Sequence, residues 1–263
     1  MLNKISIITP SYNHGEFIED AILSVKNQKK VNIEHIIIDG GSKDNTKNIL
    51  KKYRHLKWIS KKNRGQTHAL NIGLKLATGN IIGWLNADDY YSHNIFKKII
   101  NKLEDDNIDF TYGDYQYVTK NKKKIRKRIS KKYFLISKKI VSRFICFIPS
   151  TTFFIKKDKL KNIKFDEKIK FTMDKEFFAN LLNKNLKVNK IDLLISNNRI
   201  HENNRLESRT DSNLEKIRFK EGIYIFNKFS KKKIPKNNFG ILVYKFIQKT
   251  LIFINFILNI FVK

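Results

Sequence analysis

The chain of 263 residues carries 54 lysines and arginines against 24 acids, a formal charge of +30, with 41% hydrophobic and 12% aromatic residues. Only 3 prolines and 10 glycines interrupt it, which excludes fibrous repeats and extensive disorder and leaves room for a sizeable core. The lone Cys146, in the apolar run RFICFIPS, excludes an internal disulfide and fits a packed thiol in a reducing compartment, while the cation excess points either to a polyanionic neighbour or to a plain lysine-rich compositional bias.

The N-terminus, MLNKISIITP, lacks the long apolar region of a secretion signal and reads as the first strand of a cytoplasmic fold, over 4–10. Apolar residues at Phe17, Ile18, Ala21, Ile22 and Val25 give a helical spacing over 15–28. IEHIIID (33–39) fits a strand buried on both faces, and Ser42 and Asp44 suit the start of another helix. Strands at 56–60 and 79–86, a helix at 66–77, a helix at about 93–105 and a strand at 108–114 continue the alternation. The fold class expected is α/β, a mostly parallel Rossmann-like sheet flanked by helices.

In such sheets ligands bind beyond the carboxyl ends of the strands. Those ends are Pro10 to Asn13, Asp39 to Ser42, Asn86 to Asp89, and Gly113 with Asp114. From about 120 the alternation stops, and KNKKKIRKRISKK reads as a loop or solvated segment. Order returns with a strand-like run at 147–157 and a helix at 171–184 that turns Phe177, Phe178, Leu181 and Leu182 inward. One or two strands follow, then an amphipathic helix at 212–229 and an intensely apolar tail at 240–263.

Adjacent Asp88 and Asp89 repel one another unless a cation or a hydrogen-bond network compensates, and Mg²⁺ or Mn²⁺ favours such oxygen ligands. A solvated turn before the next helix is the plainer reading. Asp39 suits either a helix cap or a hydrogen-bond acceptor for a base or sugar hydroxyl. Arg64, before a helix N-terminus, is placed to neutralise a diphosphate or is one more surface cation.

Taken together, SIITPSYNHGEFIEDAILSVKNQ, EHIIIDGGSKDNT, NRGQTHALNIGLKLATGNIIGWLNADDYY, YGDY, PSTTFFIKK, FDEKIKFTMDKEFFANLL and RIHENNRLES resemble, in order, family 2 of the glycosyltransferases. These are inverting enzymes of GT-A fold that use nucleotide-sugar donors. The resemblance implies a catalytic domain over 1–210 and a C-terminal helical extension over 211–263. It assigns Pro10 and Tyr12 to the wall around the donor nucleotide, Asp39 to its base, and Arg64 to base or diphosphate. NADD stands where the family carries its metal motif; its first position is Asn86, so donor contacts fall on Asn86 and Asp88 and ligation of Mn²⁺ or Mg²⁺ on Asp88 and Asp89. Asp174 matches the family's catalytic base, with Met173 where many members have another acid, and His201 matches a histidine beside the metal or diphosphate. Asp174 as a residue near a helix dipole, and His201 as a satisfied strand-end histidine, are the structural alternatives.

The partners implied are a nucleotide-sugar donor, in the first place a UDP-sugar, and a glycan or lipid-linked acceptor. The tail is too short in unbroken apolar residues to span a bilayer. Its polar stripe of Lys245, Gln248, Lys249, Asn255, Asn259 and Lys263 suits an interfacial helix on the anionic inner face of the cell membrane; packing on the protein or in a dimer is the alternative. A non-catalytic nucleic-acid or membrane-binding protein on the same scaffold competes as a function class, but no nucleic-acid-binding motif is present.

Overall fold

The computed structural model describes residues 4–128, 148–202, 212–231 and 233–261. Cys146, residues 129–132 of the basic segment and the NNRLES portion of the last motif lie outside the described residues. Two compact units emerge: Met1–Ser130, Ile148–Glu167 and Leu186–His201 form the first, and Lys131–Phe147, Lys168–Asn185 and Glu202–Lys263 the second.

In the first unit the elements run β1 (Lys4–Ser11), α1 (Ile18–Lys26), β2 (Asn32–Asp39), α2 (Thr46–Lys51), β3 (Lys57–Ser60), α3 (Gln66–Leu76), β4 (Ile81–Trp84), β5 (Tyr90–Tyr91), α4 (Phe96–Leu103), β6 (Phe110–Thr119), β7 (Lys124–Arg128), β8 (Phe154–Lys156) and β9 (Val188–Ile200). They build a sheet of order β3-β2-β1-β4-β8-β6-β9-β5, with β7 on β6. β3, β2, β1 and β4 are parallel. β8 runs antiparallel to β4 and β6, so the sheet is parallel in its first half and mixed in its second.

β1, β4 and most of β2 are buried on both faces, as their apolar runs require, while the edge strand β3 is partly exposed. Ile5 and Ile7 of β1 join a core with Ala21 and Val25 of α1 and Phe96 and Ile99 of α4. Alternation sends Ile8 to the other face, where α3 approaches so closely that a Cβ on Gly73 would stand 2.3 Å from Ile8 Cγ2. Two polar residues inside β2 are also buried. Glu34 accepts hydrogen bonds from Ser6 Oγ (2.5 Å), the Thr78 amide (2.8 Å) and Lys57 Nζ (2.5 Å). Burial opposes its ionisation, yet these donors hold its pKa well below the usual carboxylate range. His35, bonded to Thr9 Oγ1 at 3.0 Å, has its pKa pushed down to about 3 by burial and then by nearby His55.

Two expectations need correction. β6 does not end at Gly113 and Asp114 but continues to Thr119; its register shifts at this point, where the chains pass so closely that a Cβ on Gly113 would stand 2.6 Å from Leu193 O. Asp114 is therefore a buried strand residue, paired with Lys190 at 3.1 Å, rather than part of a strand-end cluster. The basic segment also contains a strand: β7 pairs antiparallel with β6, all five residues exposed, and Arg128 lies 5.8 Å from the Tyr117 ring centroid. Cationic side chains on an edge strand deter further pairing.

The second unit contains α5 (Met173–Asn183), α6 (Ser212–Phe229) and α7 (Asn238–Phe261). Phe177, Phe178, Leu181 and Leu182 of α5 are buried, as their spacing predicts. Ile223, Ile234 and Tyr244 form a small core between α6 and α7. α5 groups with these helices through polar links: Glu176, fully buried, meets Lys228 Nζ at 2.8 Å, and Lys175 Nζ bonds Tyr244 Oη.

Candidate functional site

The parallel strands β3, β2, β1 and β4 end side by side, and their loops carry the polar clusters. Pro10 is buried in β1 beside Ile38, and Tyr12, just past the strand, is 55% exposed. Asn13 takes a left-handed φ of 55°, as asparagine tolerates, and stitches the β1 loop to the β2 loop. Its amide donates to Ser42 Oγ (2.7 Å), its Oδ1 accepts from the Lys43 amide (2.9 Å), and the Gly15 amide donates to Asp44 Oδ2 (2.7 Å).

Asp39 is fully buried beneath this seam. Its Oδ2 accepts from the Ser42 amide (2.9 Å), the Gly41 amide (3.2 Å) and Ser60 Oγ (2.5 Å), and its Oδ1 from Ser42 Oγ. Gly41, at φ 83°, supplies the left-handed turn that lets the chain double back onto the carboxylate. Arg64 is exposed and pairs with Glu167 at 2.7 Å.

The NADD loop separates its two carboxylates. Asp89, 3% exposed, points inward: Oδ1 accepts from the Arg199 amide (2.8 Å) and Oδ2 from Asn86 Nδ2 (2.9 Å). Asp88 Oδ2 lies 3.2 Å from His201 Nε2, just beyond the end of β9. Burial disfavours charge on both, but His201 and His14 hold the Asp88 pKa below the usual carboxylate value, whereas burial and the charge of Asp88 push that of Asp89 well above it. Asn86 Oδ1 accepts from Trp84 Nε1 (3.0 Å) and Gln66 Nε2 (3.2 Å), so its amide is committed at both ends. An acid at 86 would accept but not donate, and would set a third carboxylate against the pair. The departure from the family motif is thus matched to a buried Asp89.

Two residues not singled out in the sequence belong to this cluster. His14 accepts the Tyr12 amide on Nδ1 at 3.1 Å; burial lowers its pKa, against the opposing field of Asp88. It lies one residue past the polar cluster read at Pro10 to Asn13. Arg199, fully buried, donates to Asp88 O (3.1 Å) and Asp20 Oδ2 (2.7 Å), and its guanidinium lies 4.9 Å from the Phe17 ring centroid. Phe17 also packs on His201, with ring centroids 4.5 Å apart. Strand alternation sets Arg199 and His201 on one side of β9, a signal available in the sequence.

The group implied by the resemblance is a divalent cation. Among the described residues no cluster of three or more His, Cys, Asp or Glu side chains is suited to hold one. A carboxylate oxygen and an imidazole nitrogen that converge on one proton nevertheless offer the donor set of a site completed by substrate phosphates, as Mg²⁺ and Mn²⁺ sites often are. Asp88 and His201 fit that role; Asp89, its oxygens taken by Arg199 and Asn86, fits as their buried support.

Asp174 lies in the second unit, half-buried in the first turn of α5, where its Oδ1 accepts from the Lys175 amide (2.8 Å). The approach to α5 is clamped from α6: Glu221 accepts from the amides of Lys170 (2.8 Å), Phe171 (3.1 Å) and Thr172 (2.9 Å), and from Thr172 Oγ1.

The model of the family described as Glycosyl transferase family 2 matches residues 6–164. The chain belongs to that family. Among curated relatives, it is 27% identical over 190 residues to the uncharacterized glycosyltransferase EpsJ of Bacillus subtilis, covering 67% of this chain and 55% of that protein. An uncharacterized glycosyltransferase of Haemophilus influenzae is 36% identical over 118 residues, covering 43% of this chain and 47% of its own. One from Rickettsia bellii is 33% identical over 118 residues, 44% of this chain but only 17% of the relative. The chain therefore spans about half or less of the length of several relatives it matches.

Among solved structures, S. aureus TarS 1-349 in complex with UDP-GlcNAc superposes with a TM-score of 0.67 at 20% identity, covering 89% of this chain and 69% of that one. The mannosyltransferase PcManGT from Pyrobaculum calidifontis, in complex with GDP-Man and Mn²⁺, gives 0.63 at 15% identity, covering 90% and 67%. These likenesses identify the GT-A fold. A groove of about 1370 Å³ lies at the amino end of β4, lined by Asn80 and Lys157 among others, and contains none of the predicted site residues.

Proposed function

We propose that this chain is a metal-dependent, inverting glycosyltransferase that moves a sugar from a nucleotide-diphosphate sugar, a UDP-sugar in the first place, to a hydroxyl of a glycan or lipid-linked acceptor in surface-polysaccharide synthesis. The reading is carried by the convergence of Asp88 and His201, 3.2 Å apart, beside the stitched loops after β1 and β2 in a family 2 chain. UDP-GlcNAc in the TarS structure and Mn²⁺ in the mannosyltransferase add support. Working on the inner face of the cell membrane fits a lipid-linked acceptor.

In this reading Tyr12 offers its exposed ring to the nucleotide base, and Asp39 keeps the β2 loop in the shape that receives it. Pro10 stiffens the same wall. Asp88 and His201 would hold Mn²⁺ or Mg²⁺, and such an ion supplies charge stabilisation for the departing diphosphate. Arg64 can turn from Glu167 to the same phosphates. Asp174 takes the proton of the acceptor hydroxyl as that oxygen attacks the anomeric carbon; the bond to the diphosphate breaks on the opposite face, and configuration inverts without a covalent nucleophile.

The decisive measurement is thermal stability with a panel of nucleotide sugars, with and without Mn²⁺. A donor that raises the melting temperature only with metal supports the reading, because binding to the folded state alone stabilises it. The same response to every nucleotide irrespective of metal would sink it.

A further inference from the structure

α7 has two faces with different environments. Tyr244 is buried on the inner face, with Ile241, Ile247 and Leu251 packed against the core of Ile223 and Ile234. On the outer face Phe239 (66% exposed), Leu242 (66%), Phe246 (73%) and Phe253 (64%) stand in water. Their spacings of three, four and seven residues align them in one stripe along the helix. Lys249, exposed, borders the stripe; Lys245 lies beyond it, and exposed Lys236 precedes the helix. No described helix is long and apolar enough to cross a membrane.

Isolated exposed apolar residues are ordinary, but a continuous stripe of three phenylalanines and a leucine marks a surface that something covers. Charge selects the occupant. A second copy would bring another chain of net charge +30 against the first, whereas an anionic lipid surface complements both the whole chain and the lysines beside the stripe.

We propose that the outer face of α7 docks onto the surface of an anionic bilayer. Phe239, Leu242, Phe246 and Phe253 enter the boundary between headgroups and acyl chains, the helix lies parallel to the surface, and Lys249 meets lipid phosphates, while Lys245 stays paired with Glu215 at 3.3 Å. The docking deepens the reading of the chain as a transferase for a lipid-linked acceptor, and rests on that reading for its purpose alone.

Flotation of the full chain with vesicles of phosphatidylglycerol and phosphatidylethanolamine, against vesicles of phosphatidylcholine alone, tests it. Binding to the anionic vesicles is expected, and the double variant Phe246→Ser, Phe253→Ser should partition more than about tenfold more weakly. Both positions face water, so the melting temperature of the variant should match that of the parent. Lys249→Glu should weaken binding to the anionic vesicles further. The proposal is overturned by equal binding to both vesicle types, by undiminished binding of the double variant, or by a concentration-dependent dimer in sedimentation that the double variant abolishes. Metal-dependent stabilisation by a nucleotide sugar, measured on the same preparation, separates the two ideas: its loss alongside intact vesicle binding would remove the transferase reading and leave the docking face standing.

Discussion

The loops after β1 and β2 and the helices of the second unit hold their candidate residues by opposite means. Asp39 and Asp44 are fixed by donors a few residues away in the same loop or in the neighbouring one. α5 is fixed from far along the chain, by Glu221 to Thr172, Lys228 to Glu176 and Tyr244 to Lys175. Local stitching makes a loop robust to events elsewhere; remote clamping makes the Asp174 helix depend on the C-terminal helices.

Substitutions in each unit test that contrast. Asp174→Asn should lower kcat by about 10²–10⁴, the range of general-base catalysis, with metal-dependent donor stabilisation unchanged; steady-state kinetics beside the thermal shift checks it. Asp88→Ala should abolish the Mn²⁺-dependent part of donor binding, a loss of about 10–100-fold in titration calorimetry, and leave the fold intact. Glu221→Ala strips three amides of their acceptor and should cost about 1–3 kcal/mol in denaturant unfolding, confined to the second unit. Parent-like unfolding of that variant would contradict remote clamping.

The smallest effect concerns pH. His35 stays neutral in the fold because burial pushes its pKa down to about 3. A base with a depressed folded pKa contributes stability that is complete above the unfolded value of about 6.5 and is lost as pH falls toward the folded one. Between pH 6.5 and 5 the parent should lose about 1–2 kcal/mol through this group, and His35→Gln should flatten that slope in unfolding midpoints.

Much of the first unit was legible. Apolar runs closed by Pro10, Asp39 and Asn86 announced buried parallel strands, and period-2 and helical spacings located the helices between them to within a few residues. What escaped were partners set by tertiary contact. Glu34 and His35 sit in a run read as buried, but nothing local names their partners, which come from β1, β3 and the end of α3. The strand β7 was hidden because its charges mimic a loop, and only pairing with β6 makes it a strand. At the NADD loop the residue types pointed to a carboxylate pair, but the division of labour within it depends on Arg199 and His201, more than a hundred residues later.

The close seat of Tyr244 also bears on how the protein can be produced. A Cβ on Gly222 would meet the Tyr244 ring at 2.8 Å, so α6 and α7 interlock with no spare space. Trimming the apolar tail to gain solubility would strip Ile223 and Ile234 of their cover and release Lys175, leaving a shortened chain prone to aggregate. A soluble preparation is better sought by polar substitutions at Phe239, Leu242, Phe246 and Phe253, which leave the inner face of the helix in place.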